Sequence, residues 1–476
     1  MFPEPTPSIS PRQKEAAKLI LTTANQVASV QGLAGSGKTF MLKTTRELAQ
    51  EKGFKMIGVA PSAAAARELA KTGMESKTIA SFQTSQNHRL DSKTILVIDE
   101  AGMVSSRQME FLLKAAERSR AKVLLVGDTQ QLKAVEAGRP FAQLQASGME
   151  TAGMSEIQRQ KNPQLKKAVE LAAKGEIRES VSLLQKSVHE VVGAESRYAK
   201  IARDYVSLPE RDREKTLIVA GTHEARKAIN DKVREGLSLR GQGHEIQILE
   251  ARDMTKAQLK EIRNYRPGDF VQMERSYRSL GLKNGELCAV HEIKPSYILL
   301  KKADGSLLRW RPQRKSRVSV YQARKRELAW GETLRLTKND REQGLTNGDR
   351  AKVIGIDKDK MIHLQKDDGK RVKLDGNKPL HLDYGYCSTV HSAQGKTCER
   401  VLIEADTKSL TSARDNYYVA ISRARNEARI YTDDRAKLPE AMGRENVKET
   451  ALEVQRSKSE KQKGHQKDRA SFENTY

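Results

Sequence analysis

Cysteine is scarce in this chain. Cys288, Cys387 and Cys398 are the only three among 476 residues, an odd number without metal-type spacing. We therefore expect neither a disulfide framework nor a thiolate zinc site, and a reducing cytoplasm is the expected compartment. His223 and His391 have no carboxylates or thiols at suitable spacing, so a histidine metal site is rejected as well.

Long hydrophobic runs are also missing. The longest, such as TILVI at 94–98 and KVLLV at 122–126, are far too short to span a bilayer. We therefore expect no membrane insertion.

Acidic residues are fewer than basic residues, and aromatic residues are few. Lys and Arg number 86 against 61 Asp and Glu, which gives a formal net charge of +25 and a pI of about 9.8. Such an excess favours a polyanionic partner, with nucleic acid as the first candidate and an ordinary basic surface as the alternative. Because only 5% of the residues are aromatic, we expect phosphate contacts to dominate over base stacking, so affinity should fall steeply with salt.

The stretch QGLAGSGKTF at 31–40 fits the pattern G-x-x-x-x-G-K-[ST] of a phosphate-binding loop. A β-rich run precedes it and a helical run follows, which is the arrangement that presents backbone N–H groups to phosphates. In this pattern Lys38 neutralises β- and γ-phosphate oxygens, and the Thr39 hydroxyl is a ligand of Mg²⁺. The predicted ligand is therefore a nucleoside triphosphate with Mg²⁺.

An apolar run, TILVI, ends in Asp99 and Glu100. Two carboxylates would then leave the carboxyl edge of a parallel sheet, where open α/β sheets bind ligands. The prediction is that Asp99 holds Mg²⁺ through water and that Glu100 acts as the general base on the attacking water.

Short β-rich runs alternate with helical runs in two parts of the chain, and this alternation predicts parallel sheets built from βα units. One part surrounds the phosphate-binding loop. The other opens at 214–237 and returns at 380–435. Between 237 and 380, Gly-Asp, Asn-Gly and Asp-Gly turns separate short predicted strands. An internal repeat of one β unit is predicted by the similar stretches PGDFVQM…LKNGELCAVHEI and WGETLRL…LTNGDRAKVIGI.

The motifs GLAGSGKT, VIDEAG, LLVGDTQQL, STVHSAQGKT and NYYVAISRAR occur in this order. As a set they resemble superfamily 1 helicases, specifically the RecD-like branch (superfamily 1B), and most closely the helicase portion of conjugative relaxases. The resemblance covers roughly residues 8 to 435 and implies an α/β fold of two RecA-like P-loop domains with parallel sheets, plus inserted small SH3-like β-barrel modules. The implied boundaries are 1–155 for the first domain with a very short pin near 83–93, 156–260 and 380–442 for the second, 261–379 for the SH3-like insert, and 443–476 for a charged tail.

The resemblance also implies roles for single residues. Gln13 would bind adenine edges, Gln131 would sense the γ-phosphate, and Arg159 and Arg423 would act as arginine fingers. With Lys38 and Glu100, the last three form the predicted catalytic set. The full nucleotide-binding set is Gln13, Gly32, Gly35, Ser36, Gly37, Lys38, Thr39, Asp99 and Gly395, of which Thr39 and Asp99 serve Mg²⁺.

Loops that follow the predicted strands are implied to contact single-stranded DNA. Hydroxyls and backbone amides suit phosphates, while Phe82 or His391 could stack on a base. The predicted DNA-contacting residues are Pro61, Ser62, Thr78, Ser81, Phe82, Thr222, His223, Thr389, His391 and Ser392.

The function implied is an ATP-dependent, Mg²⁺-requiring DNA helicase that moves 5′ to 3′ on single strands and unwinds duplex. We expect it to be the helicase segment of a conjugative relaxase. Expected partners are single-stranded and junction DNA and proteins of the conjugation apparatus, with a monomer acting on DNA. A RecD-like repair or recombination helicase and a single-strand-binding module without motor activity are the alternatives. The motifs retain their lysine, acidic pair and arginines, which argues against a single-strand-binding module without motor activity.

Overall fold

The computed structural model describes residues 9–85, 90–134, 138–313, 316–340 and 343–445. The chain divides into two compact units. The first unit contains the described residues up to Val233 and those from Cys387 onward, and the second unit is Arg234–Tyr386.

The first lobe of the first unit contains a six-stranded sheet. Every ladder in it is parallel, in the order β3-β2-β4-β5-β1-β6. Its elements are α1 (Pro11–Thr22), β1 (Val27–Gly32), α2 (Lys38–Glu51), β2 (Lys55–Ala60), α3 (Ala63–Ala70), β3 (Glu75–Thr78), α4 (Ile79–Thr84), β4 (Thr94–Ile98), α5 (Ser106–Arg118), β5 (Lys122–Gly127), α6 (Pro140–Ala146) and β6 (Thr151–Met154).

Helices cover both faces of this sheet, which is why its strands are nearly continuous apolar runs. Ile20 of α1 and Met41 of α2 are buried on one face. Leu112 of α5 is buried on the other, with Phe82 of α4 beside it. The parallel α/β fold predicted for this part of the chain is confirmed.

Local sequence sets where α1 begins. Ser10 is the N-cap: its side chain accepts a hydrogen bond from the backbone N–H of Gln13, and the Gln13 side chain accepts one from the backbone N–H of Ser10. Pro11 occupies the first helical position, where its missing N–H costs nothing. Helix α1 therefore starts at Pro11.

The second lobe begins directly after β6. Its first elements are α7 (Pro163–Lys174), α8 (Ile177–Leu183), β7 (Val188–Glu190), α9 (Ala194–Val206), α10 (Glu210–Glu214), β8 (Thr216–Ala220) and α11 (His223–Gly236).

The second unit interrupts this lobe and is built from antiparallel strands. They form a six-stranded sheet in the order β13-β12-β11-β10-β14-β9 and a five-stranded sheet in the order β18-β17-β16-β15-β19. The strands are β9 (His244–Ala251), β10 (Asp269–Met273), β11 (Leu287–Ile293), β12 (Ile298–Lys301), β13 (Leu307–Trp310), β14 (Val318–Leu328), β15 (Thr333–Leu336), β16 (Arg350–Ile356), β17 (Met361–Lys366), β18 (Arg371–Asp375) and β19 (Leu382–Tyr384).

The boundaries of this unit differ from the expected 261–379. Strand β9 pairs along its whole length with β14, so the segment before residue 260 belongs to the insert rather than to the second parallel sheet. Strand β19 pairs with β15, which extends the insert at its other end. The SH3-like barrel character of the two sheets stays a prediction.

The chain then returns to the second lobe through β20 (Cys387–Thr389), α12 (Val390–Ala393), β21 (Cys398–Ala405), α13 (Arg414–Ile421), β22 (Ala424–Thr432) and α14 (Leu438–Gly443). All ladders of its five-stranded sheet are parallel, in the order β20-β8-β21-β22-β7. Apolar side chains of α7, α8 and α13 form its core.

Two predicted segments lie wholly or partly outside the described residues. The pin expected near 83–93 includes residues 86–89, and the charged tail is described only to residue 445. Among the described helices, none combines the length and the apolarity needed to cross a bilayer.

A buried ion pair between Arg234 and Glu332 lies at the start of the second unit. Glu332 is 0% exposed, and its carboxylate accepts hydrogen bonds from Arg234 Nε at 2.9 Å and Tyr386 OH at 2.9 Å. Arg234 also donates to Glu327 at 3.0 Å. Burial raises the pKa of Glu332, while Arg234 opposes that rise by favouring the charged carboxylate.

Replacing Arg234 with alanine leaves this carboxylate buried without its cation. We expect Arg234→Ala to lower the free energy of unfolding of the second unit by about 3–5 kcal/mol. Trp310 and Trp330, the only tryptophans of the chain, both lie in this unit, so tryptophan fluorescence during urea denaturation measures the change.

The matched control is Lys325→Ala, which removes an ion pair with Glu245 whose side chains are 76% and 63% exposed. We expect this change to cost less than about 1 kcal/mol. Equal destabilisation by the two variants would contradict the structural role of Arg234.

Candidate nucleotide site

The phosphate-binding loop connects β1 to α2. Gly35 and Gly37 have φ angles of 83° and 81°, in the left-handed region that side chains with a Cβ disfavour. A Cβ on Gly37 would lie 2.4 Å from Nε2 of Gln13, and one on Gly32 would lie 2.8 Å from side-chain carbons of Lys38. Glycine is therefore required at these positions by backbone conformation and by close packing.

Lys38 is the first residue of α2 and reaches back over this loop. Its Nζ donates to the carbonyl oxygens of Gly32 at 2.7 Å and Leu33 at 3.2 Å. Ser36 is 2% exposed, and its Oγ has no hydrogen-bond partner among the described residues. Thr39 follows Lys38 in the first turn of α2.

Gln13 packs against the same loop from α1. Its side chain is 1% exposed; Nε2 donates to the carbonyl of Ser36 at 3.2 Å, and Oε1 accepts from Ser10 N at 3.0 Å. The amide thus joins the start of α1 to the phosphate-binding loop. Its predicted contact with adenine stays a prediction.

Asp99 and Glu100 follow β4 directly. Burial and the neighbouring Glu100 raise the pKa of Asp99 to about 7, although Lys38 opposes the shift. Glu100 has a φ of 50°, which is unusual for a residue other than glycine and turns the chain into the short 3₁₀ segment Ala101–Met103. A strained backbone at such an acidic pair is typical of functional sites.

Two arginines of the predicted catalytic set lie close together on the other side of the cleft between the two lobes. Arg159 Nη1 donates to the carbonyl of Ser422 at 2.9 Å. Arg423 is 2% exposed and donates from Nε to the carbonyl of Val419 at 2.9 Å. Burial and the charge of Arg423 lower the pKa of Arg159 to about 9, and Glu100 opposes this by favouring the charged form.

Arg159 belongs to the segment that joins the two lobes rather than to the body of the second lobe. The adjacent Gln158 N–H donates to the carbonyl of Gly35 in the phosphate-binding loop at 2.9 Å. Lys161 N–H donates to the carbonyl of Arg425 in the second lobe at 2.8 Å. Arg159 is therefore positioned by both lobes.

Tyr418 of α13 bridges the lobes by its hydroxyl. The oxygen accepts from Ala34 N–H of the phosphate-binding loop at 2.8 Å, and the hydroxyl donates to Asp128 Oδ2 at 2.8 Å. Asp128 is 2% exposed and also accepts from Gln131 Nε2 at 3.2 Å. The predicted γ-phosphate sensor Gln131 is thus held by a residue that the second lobe also contacts.

Gln394, directly before Gly395, makes a second link across the cleft. Its Nε2 donates to Glu100 Oε2 at 3.3 Å and lies 3.5 Å from Gln131 Oε1. Gly395 has a φ of 79°, which turns the chain away after α12. The structure therefore brings Glu100, Gln131 and the segment of Gly395 together.

These residues fit a nucleoside triphosphate with Mg²⁺. The loop offers backbone N–H groups at the start of α2, the buried unpartnered hydroxyl of Ser36, and an ammonium group. Carboxylate and hydroxyl oxygens are the ligands that Mg²⁺ prefers, and a cation beside Asp99 would favour its charged form. Among the described residues there is no cluster of three or more His, Cys, Asp or Glu side chains that could hold another metal.

The predicted DNA-contacting residues lie where strands of both parallel sheets end. Four of their hydroxyls accept hydrogen bonds from helix-starting N–H groups: Ser62 from Ala65, Thr78 from Ser81, Thr222 from Ala225 and Thr389 from Ser392. The hydroxyls of Ser62, Thr78 and Thr222 keep their own protons for donation, whereas the Thr389 hydroxyl also shares a hydrogen bond with Ser392 Oγ at 3.0 Å. Pro61 precedes one cap, and His223 and His391 are exposed beside two others.

Phe82 requires a correction. It is 0% exposed and packs in the core of the first lobe, with its ring edge-on to Phe111 at a centroid distance of 6.4 Å. Since no ring face is accessible, Phe82 does not stack on a base. A helical period places Phe82 on the buried side of α4, and this signal favoured the core assignment.

Sequence reasoning missed three residues of the site: Asp128, Gln394 and Tyr418. All three lie inside the motifs LLVGDTQQL, STVHSAQGKT and NYYVAISRAR. Their roles come from contacts between lobes, which sequence separation hides. A buried helix tyrosine in particular is indistinguishable by pattern from an ordinary core residue.

Two family models match the chain: an AAA domain over residues 8–192 and a viral superfamily 1 RNA helicase core domain over residues 321–432. The conjugal transfer protein TraA of Agrobacterium fabrum is 29% identical over 469 residues, which is 94% of this chain and 35% of that protein. The multifunctional conjugation protein TraI of Escherichia coli is 26% identical over 517 residues, 94% of this chain and 29% of that protein. The chain is therefore similar to superfamily 1B helicases and to conjugative relaxases.

The fold of this chain is also that of a solved structure. Bacteroides Pif1 bound to ssDNA superimposes with a TM-score of 0.53 at 17% identity, covering 96% of this chain and 98% of that chain. This likeness concerns the fold alone. The chain spans about a third of the length of the curated relatives that it matches.

Tyr418 gives a test of the contact between lobes. Tyr418→Phe leaves Ala34 N–H and Asp128 Oδ2 without this partner. Because both groups border the phosphate-binding loop, we expect nucleotide affinity to fall about tenfold, which corresponds to about 1.4 kcal/mol. Equilibrium binding of a fluorescent ATP analogue measures it.

The neighbouring Tyr417→Phe is the control. Within the part of the chain that the structure describes, the Tyr417 hydroxyl bonds only Ser180 Oγ of the second lobe, at 2.8 Å. We expect it to reduce thermal stability but to leave nucleotide affinity unchanged. Parent-like nucleotide affinity in Tyr418→Phe would show that the bridge does not shape the site.

Proposed function

We propose that this chain is the ATP-driven motor segment of a conjugative relaxase, which translocates 5′ to 3′ on single-stranded DNA and unwinds duplex DNA. The observation that carries the proposal is the convergence of two sets of groups at one cleft. Lys38, Asp99 and Glu100 come from the first lobe, and Gln394 and Arg423 come from the second. The net charge of +25 supports a polyanionic track.

Nucleotide binding follows from the phosphate-binding loop. The N–H groups at the start of α2 and the Lys38 ammonium receive the β- and γ-phosphates, which requires Lys38 to exchange its carbonyl partners for phosphate oxygens. Thr39 and Asp99 would hold Mg²⁺, which would supply charge neutralisation at the same phosphates. Gln13 is placed beside the loop to contact the base.

Hydrolysis uses Glu100 as the general base. Water attacks the γ-phosphorus, its proton passes to Glu100, and the bond from γ-phosphorus to the bridging oxygen breaks. Gln394 orients Glu100 and Gln131 through its contacts with both side chains. Arg159 and Arg423 stabilise the charge on the transferring group, because their guanidinium groups lie on the opposite side of the cleft.

Movement follows from where these groups are anchored. A triphosphate between Lys38 and the two arginines attracts both lobes and favours a closed cleft, and loss of the γ-phosphate removes that attraction. DNA held by the strand-ending loops of both lobes is then moved by alternate closing and opening. Direction of travel, gripping of the strand by SH3-like modules, action as a monomer and contacts with conjugation proteins rest on the resemblance.

Replacing Lys38 tests the motor. We expect Lys38→Ala to reduce DNA-stimulated ATP hydrolysis at least about 10³-fold, because transition-state charge loses its neutralising group. Binding to oligo(dT) should persist, since Lys38 lies in the cleft. Lys43→Ala, an exposed lysine on the same helix, should leave hydrolysis unchanged. DNA-stimulated hydrolysis in Lys38→Ala would favour a binding module without motor activity.

Direction is tested with two duplexes that differ only in the end of the overhang. We expect strand separation with a 5′ overhang and none with a 3′ overhang, in an ATP-dependent gel or fluorescence assay. Exclusive activity on the 3′ overhang would reverse the proposed polarity while leaving the motor itself intact.

A further inference from the structure

The segment 158–162 is hydrogen-bonded to both lobes of the first unit, and we call it the linker. Gln158 N–H donates to the phosphate-binding loop at the carbonyl of Gly35, and Lys161 N–H donates to the second lobe at the carbonyl of Arg425. The side chains between these two contacts are therefore held at the cleft from both ends of the segment.

Gln160 of the linker contacts the backbone on both sides of Arg423. Its side chain is 6% exposed, and Nε2 donates to the carbonyl of Ser422 at 3.2 Å and to the carbonyl of Ala424 at 2.9 Å. These two residues are the chain neighbours of Arg423. One amide group therefore holds the backbone immediately before and immediately after an arginine of the predicted catalytic set.

Glutamine suits this position because it offers two donors without a charge. The amide NH₂ group has two protons, one for each carbonyl. A lysine would also donate, but its charge would add to those of Arg159 and Arg423, whose pKa values burial already lowers. A glutamate would place its oxygens against the two carbonyl oxygens. Gln160 Oε1 has no hydrogen-bond partner among the described residues, so the contacts of this amide come from its donor end.

Both arginines are bonded to the residue that Gln160 holds. Arg159 Nη1 donates to the carbonyl of Ser422 at 2.9 Å, so this carbonyl accepts from two successive residues of the linker. Arg423 Nη2 donates to Ser422 Oγ at 2.9 Å. Ser422 is 0% exposed and is the C-cap of α13. The placement of the two guanidinium groups relative to each other therefore depends on one buried residue and on the amide that contacts it.

We propose that Gln160 is a positioning residue for Arg423: it holds the backbone around Arg423 so that its guanidinium group reaches the γ-phosphate together with that of Arg159. The inference rests on the proposed function, since that function supplies the phosphate. Stabilisation of charge in a transition state depends on donors that are already in place when the charge develops. Without the Gln160 amide, two buried carbonyls lose this donor, and the backbone that carries Arg423 can shift.

The test is Gln160→Met, which keeps the length of the side chain and removes both donors. We expect kcat for ATP hydrolysis at saturating oligo(dT) to fall on the order of 10²-fold, the cost of a misplaced group at a reacting centre. The KM for ATP should stay at the parent value, because the lost interaction acts in the transition state. The control is Gln164→Met. Gln164 is exposed on α7 and also donates to a backbone carbonyl, that of Leu183, so this variant should keep the parent kcat.

A double-mutant cycle separates positioning of Arg423 from a general loss of stability. In an Arg423→Ala background, Gln160→Met should lower kcat by less than about threefold, because the effects of residues that act as a unit are not additive. Single-turnover hydrolysis of radiolabelled ATP compares the parent, the two single variants and the double variant. An equal loss of kcat with and without Arg423 overturns the inference.

Failure of the inference and failure of the proposed function give different results. A parent kcat in Gln160→Met overturns the inference alone. Absence of DNA-stimulated ATP hydrolysis in the parent chain refutes the proposed function. Circular dichroism melting verifies that each variant is folded, and Gln160→Leu repeats the measurement if Gln160→Met unfolds.

Discussion

Two guanidinium groups, the half-buried Arg159 and the buried Arg423, lie near each other at the cleft, and much of the candidate site compensates for their charge. Loss of solvent lowers the pKa values of both, and the charge of Arg423 lowers that of Arg159 further. Backbone carbonyls of Ser422 and Val419 accept their hydrogen bonds, and Glu100 supplies opposite charge. A site with this demand for negative charge is suited to a polyphosphate, whose arrival would relieve the repulsion.

The same cleft is also where the lobes are joined. Tyr418 connects the second lobe to Ala34 and Asp128, and Gln394 connects it to Glu100. Each bond links a residue of the first lobe at the candidate site to an element of the second lobe. A change in what fills the cleft therefore changes the contacts that hold the lobes together, which is the physical basis for coupling chemistry to movement.

The inserted unit repeats one arrangement of strands. Its two runs of four antiparallel strands, β10 to β13 and β15 to β18, both carry a register shift between the second and third strands. The internal repeat of one β unit that the sequence predicts is therefore visible in the folded chain.

Sequence pattern was sufficient for the features that depend on neighbouring residues. The glycine and lysine spacing of the phosphate-binding loop, the acidic pair after a buried strand, and the alternation of parallel βα units all arise from local backbone geometry, and all are present where expected. The family resemblance added Arg159, Arg423 and Gln131, because their motifs are recognisable as sets.

Contacts between residues far apart in the chain required the folded structure. The bridge from Tyr418 to Ala34 depends on which segments meet in space. The same is true of the burial of Phe82 and of the start of the insert before β9. The sequence shows the same residue type whether its side chain packs inside its own lobe or contacts the other lobe. Only tertiary packing separates these cases, since burial and hydrogen-bond partners are properties of the surroundings rather than of the residue.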